Sequence, residues 1–314
     1  MWLTLFRRLA GLVTALFVTA LVAFILIDLL PGDPALDMLG TQATDETLAA
    51  AREALGLNRS PLERFLDWII GIPVGDFGIS YRYRIPVSQM IAEGAAVTVP
   101  LGLMAVLFTT AIALPLGVYA AANQGRAGDS AVMAFSQIGL AVPNFWFAVL
   151  LILLFAVTLG WFDAGGFPGW DAGFLPAVKA LLLPAFALAL PQAAIIARVT
   201  RSAILDVMGQ DFVRTARAKG LSRRAALWRH ALRNAMIPVV TVMGLQFAVL
   251  LAGSVIIENV FYLPGLGRLI FLAISQNDAV VVRNMVLLLA GMIMVVNFLV
   301  DLTYALINPR LRGT

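Results

Sequence analysis

Cysteine is absent from the 314-residue chain, histidine occurs once, and Lys179 and Lys219 are the whole lysine complement. Without cysteine there is no disulfide, no thiolate nucleophile and no Cys-ligated metal. A lone histidine, His230, excludes the two-histidine zinc motifs. It also lies among arginines with no placed serine and acid beside it, so it reads as a surface residue rather than a catalytic base. Lys179 follows Val178 and Lys219 follows Ala218. Neither fits the phosphate loop in which a glycine-rich backbone wraps a nucleotide and the next lysine reaches its terminal phosphates. Any ATP would have to be hydrolysed on another chain. Charge is scarce as well, at 13% of residues, where soluble domains carry roughly a quarter. No repeat at a fixed period and no low-complexity tract occurs.

What the chain has in place of charge is apolar length. Hydrophobic residues make up 61% and the mean hydropathy is +0.91. Such a chain cannot cover itself with polar surface in water, so the composition implies an all-α polytopic membrane protein. The isoelectric point of 9.8 rests on a net charge of only +4. Most of that excess sits beside apolar runs, where the positive-inside rule explains it without nucleic acid.

Six apolar runs are legible, at 9–30, 97–122, 132–160, 176–197, 237–258 and 284–307. The first reaches about 33 Å at roughly 1.5 Å per residue, enough to span a bilayer. It ends in IDLLPGDP without a small-residue cleavage site, so an uncleaved span is expected, with Arg7 and Arg8 holding its start in the cytoplasm. The organisation that follows is a head and first span at 1–30, an extracytoplasmic segment at 31–95, and a five-helix core at 96–314 with a cytoplasmic loop at 198–236. Six spans put both termini on one side. With that side inside, the cytoplasmic parts hold fourteen basic residues and three acidic ones, Asp129, Asp206 and Asp211.

The outer segment opens on the breakers Pro31-Gly32-Asp33-Pro34. TDETLAAAREAL then predicts a helix capped by Thr44 or Asp45 and closed by Gly56. Ser60-Pro61 opens a second helix, PLERFLDWII, with Trp68 suited to the membrane interface. Gly71 to Ser80 predicts turns, and Pro86 to Glu93 an amphipathic piece lying along the surface. Tyr81, Arg82, Tyr83 and Arg84 form an aromatic-basic cluster suited to an acidic partner surface.

Pro100, Pro115, Pro143, Pro184 and Pro191 fall within the runs, where each kinks its helix or helps shape a path. Gln137, Asn144, Gln192 and Gln246 should face protein or water rather than lipid. Interhelical hydrogen bonds and the lining of a translocation path remain the two readings for them. Ion coupling would draw on acids in the spans. Asp28 and Asp301 qualify and Glu258 lies at a span end. Asp301, with Asn297 and Tyr304 near it, also suits a structural hydrogen-bond cluster.

The longest polar interruption of the second half is Arg198 to Pro238. It carries Arg198, Arg201, Arg214, Arg217, Lys219, Arg223, Arg224, Arg229 and Arg233 against Asp206 and Asp211. Asp211 can N-cap a short helix, FVRTARAK, which Gly220 ends. Ser222 can cap the next helix, which runs towards Pro238. Phe212 and Val213 can anchor the short helix, while Ala216 and Ala218 allow close approach. A protein-docking surface and a loop held on anionic lipid both fit these residues.

DFVRTARAKGL followed by RHALRNAMIP resembles the cytoplasmic signature of inner-membrane permeases of the dipeptide/oligopeptide/nickel class of ABC importers. The wider importer pattern is Glu-Ala-Ala, three residues, Gly, nine residues, Ile-x-Leu-Pro. Counted from Gly220, Arg214-Thr215-Ala216 falls on Glu-Ala-Ala, His230 on Ile, Leu232 on Leu and Arg233 on Pro. LLPGDP, LGLNRSPLERFLDW, GDFGISYRYRIPVSQMI, PNFWFAVLLILLFAVTLGWF, VFYLPGLGRLI and NPRLR are similar to that family too, so the resemblance covers nearly the whole chain. It implies a type I ABC importer permease fold in a bacterial inner membrane. It implies a non-catalytic subunit that pairs with a second homologous permease and two ATPase subunits, which hold ATP and Mg. An extracytoplasmic substrate-binding protein would dock outside. Arg214, Thr215, Ala216, Arg217, Ala218, Lys219 and Gly220 would be the coupling element. Di- or oligopeptides are the implied substrates, with nickel-chelate, glutathione or oligosaccharide as alternatives on the same scaffold. A stand-alone carrier or channel is the alternative from a different class.

Overall fold

The computed structural model describes residues 2–28, 34–39 and 43–307. The breakers Pro31-Gly32-Asp33, the C-terminal NPRLR and the side chains of Asp301 and Tyr304 lie outside the described residues. Helices carry the architecture, and among the described residues the one β contact is an isolated bridge between Ile79 and Pro86. Five helices are long and apolar enough to cross a membrane, or six spans if a bent pair counts as one. The chain divides into two units, 2–98 with 264–295, and 99–263 with 296–307.

The first unit holds α1 (Trp2–Asp28), α2 (Pro34–Leu39), α3 (Asp45–Ala54), α4 (Pro61–Gly71) and the start of α5 (Val87–Ala122). It also holds α12 (Leu266–Ser275) and most of α13 (Ala279–Ile307). α3 and α4 start where the sequence says. Thr44 and Ser60 are N-caps whose hydroxyls accept from the backbone N–H three residues on, and Thr47 and Glu63 return the bond as capping boxes. Those bonds from Ser60 hold the Glu63 carboxyl below its usual range. Gly56 closes α3 at φ +67°.

Trp68, expected at a membrane interface, is covered by protein instead. It is 4% exposed and donates through Nε1 to Asn284 Oδ1 at 2.8 Å. Phe24, Phe65 and Trp68 form an aromatic cluster, with the Phe24 and Phe65 rings edge-on at 5.3 Å. Asp28 is paired rather than simply hydrated, with Arg64 at 2.7 Å. Pro86 to Glu93 is no separate surface piece. From Val87 it is the first part of α5, and Val87 and Met90 are buried with Leu266 and Met285.

The second unit is built around α8 (Phe174–Met208), with the rest of α5, α6 (Ala127–Ala141), α7 (Asn144–Leu151) and α11 (Leu232–Val260). The most apolar stretch of α8 is 72% buried, while the other continuous spans reach 17–33%. The cause is size. Ala177, Ala185, Ala187, Ala189, Ala193, Ala194 and Ala197 are fully covered, and small residues let membrane helices approach to backbone contact. Their neighbours answer with glycine. A Cβ on Gly117 of α5 would lie 2.7 Å from the Ala197 carbonyl, and one on Gly139 of α6 would lie 2.6 Å from Ala194 Cβ.

The third apolar run is broken rather than one continuous helix. α6 and α7 meet at Val142-Pro143 with a bend of 103°. Pro143 provides no amide donor and precedes the first residue of α7, so the chain breaks there. α7 then continues as a π-helical stretch, Ile152–Thr158. Pro100, Pro115, Pro184 and Pro191 all stay inside continuous helices.

Candidate functional site

The basic stretch at 198–236 is mostly helix belonging to its neighbours. α8 continues to Met208, and a single helical run from Arg223 to Val260 contains α10 (Arg223–Ala226), a π turn at Leu227–Ala231 and α11. Only residues 209–222 lie between the two long helices. Within them is α9, Asp211–Ala218.

Local chemistry sets both ends of α9. Gln210, not Asp211, occupies the N-cap, in extended backbone and without a side-chain cap bond. Asp211 is the first helical residue, where its charge suits the helix dipole. At the other end Gly220 N donates to Arg217 O at 2.9 Å and Leu221 N to Ala216 O at 3.3 Å. This pair is a Schellman ending, which places its C′ residue at positive φ. Gly220 sits there, with φ +96°. Ser222 then accepts from Ala225 N at 3.2 Å and starts α10.

One face of α9 is anchored and the other is open. Val213 is fully buried in a cluster with Ile204 and Val207 of α8, Ala226 of α10 and Leu227. Phe212, expected to share that anchor, is 43% exposed. Arg214, Thr215, Arg217, Ala218, Lys219 and Gly220 are exposed and Ala216 is half-buried. Arg214 pairs with Asp211 at 3.3 Å on the surface, and Thr215 Oγ1 donates to the Asp211 carbonyl at 2.9 Å. The result is a two-turn helix fixed to the ends of α8 and α10 by one valine, with a small, basic outward face.

A contact missed in the sequence stiffens the same end. Arg201 of α8 grips Asp129 of α6 with two bonds, Nε to Oδ1 at 2.5 Å and Nη2 to Oδ2 at 2.7 Å. Gly125 N donates to the same carboxylate at 3.0 Å. Both charges had been assigned to loops. The available signal was the carboxylate of Asp129 at the edge of an apolar run.

The polar residues of the spans separate. Gln192 on α8 is 3% exposed, and its Oε1 has no hydrogen-bond partner. Asn144 begins α7 beside Gly253 of α11, whose Cβ would lie 3.4 Å from its Nδ2. Gln246 is half-buried two turns before Gly253 and so shares its face of α11. Gln137 is exposed on α6.

In the first unit the aromatic-basic cluster splits. Tyr81 is half-buried, and burial pushes its phenol up against the opposing effect of Arg283 and Arg64. Arg82, Tyr83 and Arg84 are exposed. Their turn is held by Asp278, which accepts from Ser80 Oγ at 2.5 Å and Arg82 N at 3.2 Å, and by Ser80 Oγ, which accepts from Tyr83 N at 2.9 Å. Asp278 also accepts from Val281 N in the first turn of α13, at 3.3 Å. Among the described residues no cluster of His, Asp or Glu is placed to hold a metal.

An all-helical protein with five continuous apolar spans and one broken span, and a short capped helix projecting between two of them, has the architecture of an importer permease. A chain of the MetNI methionine ABC transporter, in an inward-facing conformation, superposes with a TM-score of 0.57 at 21% identity, covering 70% of this chain and 97% of that one. The chain belongs to the family of binding-protein-dependent transport system inner membrane components, which matches residues 113–313, and the family's N-terminal region matches residues 1–102. A putative peptide transport system permease of Brucella abortus strain 2308 is 41% identical, over 98% of each chain. A probable peptide ABC transporter permease of Sinorhizobium fredii is 37% identical, again over 98% of each. The glutathione transport system permease GsiC of Salmonella choleraesuis is 38% identical, over 98% of this chain and 97% of its own. The protein is therefore a multi-pass inner-membrane component of an ABC transporter.

Proposed function

We propose that this chain is the permease subunit of an ATP-driven peptide importer, and that α9 is its contact with the ATPase. The observation that carries this is the construction of α9: an exposed small-and-basic face on a helix whose one buried side chain, Val213, seats it against both long helices. Force applied to that face passes into α8 and into the run from Arg223 to Val260. The Asp129–Arg201 pair extends it to α6.

In this reading a second homologous permease pairs with the chain, and two ATPase subunits bind below. ATP and Mg reside on those subunits, and this chain performs no chemistry. ATP-driven closure of the ATPases rocks the spans between two rigid-body states. Both termini lie in the cytoplasm. A substrate-binding protein docks outside, with Arg82, Tyr83 and Arg84 offering it a basic, aromatic turn. Gln137, Asn144, Gln192 and Gln246 are the proposed polar positions of the path. Peptides are the proposed cargo because the peptide permeases match over nearly their whole length. The glutathione permease is consistent with the same class, since glutathione is itself a short peptide.

Gly220→Asp tests the coupling role. Any side chain at φ +96° is strained, and the added carboxylate alters the basic face. The reconstituted complex should lose uptake and substrate-stimulated ATPase activity, while the permease still inserts. Wild-type uptake in that variant would refute the assignment. Competition between labelled dipeptide and glutathione in the same vesicles would separate the two cargoes.

A further inference from the structure

Between the end of α5 and the start of α10–α11 lies a groove of about 750 Å³. It extends from Asn123 back to Leu114 on one side and from Arg223 to Met236 on the other. At roughly 1.5 Å per residue these walls are about 14 and 20 Å long.

The lining changes character along that length. Leu114, Val118, Leu232 and Met236 make the deep end apolar, whereas Asn123, Arg223 and Arg224 make the mouth polar. Arg223 Nη2 reaches back to Gln124 Oε1 at 3.4 Å, so its guanidinium lies towards the α5 side of the mouth. One turn inside stand Tyr119 and Trp228, which are 52% and 56% exposed. Aromatic side chains of this kind favour the headgroup level of a bilayer. The gradient runs from charge through amphipathic rings to hydrocarbon, parallel to two membrane spans.

We propose that this groove holds one anionic phospholipid of the cytoplasmic leaflet, with its phosphate at Arg223 and Arg224 and an acyl chain against Leu114 to Met236. The charge pattern is complementary to a phosphate, and arginine forks match phosphate oxygens. The site also has a mechanical consequence. Leu227 of the groove wall belongs to the cluster that buries Val213 of α9, so a bound lipid would brace the seat of that helix.

The test is lipid retention by the purified full-length permease. After delipidation in detergent, phosphatidylglycerol or phosphatidylethanolamine is added back and bound lipid is counted by native mass spectrometry. The wild type should hold one phosphatidylglycerol with at least a tenfold preference. Arg223→Gln with Arg224→Gln should reduce that preference below twofold, while Arg229→Gln with Arg233→Gln preserves it. Leu232→Trp, which fills the groove, should lower retention of both lipids. Equal retention of the two lipids by the wild type, or an undiminished preference in the Arg223/Arg224 variant, would overturn the proposal. So would cross-linking of a partner permease to a probe at Trp228 with no retained lipid. The readout is bound lipid rather than transport, so the result is independent of the coupling role of α9.

Discussion

Asp129 and Arg201 illustrate how much one pair of side chains decides. The carboxylate is 6% exposed and accepts three bonds, two from Arg201 and one from Gly125 N. Asp129→Asn removes the charge and leaves Arg201, itself 23% exposed, without its partner. A charged hydrogen bond lost at such a site costs about 1.5–3 kcal/mol. The thermal midpoint of the purified permease should fall, and an unchanged midpoint would show that α6 and α8 hold together without the pair. Gly117 sets a steric limit of another kind. Its missing Cβ leaves room for the Ala197 carbonyl and for Thr200 Cβ, which would lie at 2.7 and 2.5 Å from it. Gly117→Val should therefore force α5 off α8 and cost about 1–3 kcal/mol by overpacking, read as a lower yield of folded protein from membranes. Gly102, on the same helix with open space around it, should tolerate alanine.

Elements whose determinants are local were legible in the sequence. Thr44, Ser60, Ser222, Gly56 and Gly220 each act through bonds to residues three or four positions away, and each does what its type suggests. Elements set by distant packing were not. The extension of α8 to Met208 reads as loop because Arg198 and Arg201 are charged, yet Ala203, Ile204 and Val207 are buried in one cluster with Val213 of α9 and Ala226 of α10. The break at Val142-Pro143 reads as a kink because proline alone does not say whether its helix continues; Pro115 and Pro191 do sit inside continuous helices. α12 falls between the apolar runs 237–258 and 284–307, and its ten residues are too few to register as a span. Asp278 likewise showed nothing of its ties to Ser80 and Arg82, which are nearly two hundred residues earlier. At this scale Asp278→Ala should free the turn at Tyr81–Arg84. It removes an N-cap bond worth about 0.5–2 kcal/mol, and faster limited proteolysis at Arg82 or Arg84 would report it. Unaltered proteolysis would mean that the turn holds its shape without the carboxylate.

At the scale of the whole molecule, the chain is a set of apolar helices with few groups able to do chemistry and one short, exposed helix between two long ones. Its composition already excluded thiol, two-histidine and phosphate-loop chemistry, and the family places it among binding-protein-dependent transport components. What the three-dimensional arrangement adds is the seat of α9, with one buried valine between two long helices and an exposed face from Arg214 to Gly220. The chain has no cysteine, so a single introduced thiol is unique within it. The central claim is tested most directly by Arg217→Cys in the assembled transporter, treated with a short bifunctional thiol reagent against an ATPase subunit carrying a surface cysteine. The account predicts a cross-link between permease and ATPase that changes in yield with ATP, and none from Arg126→Cys in the neighbouring turn. Equal cross-linking from both positions, or none from Arg217→Cys in a complex that transports normally, would contradict it.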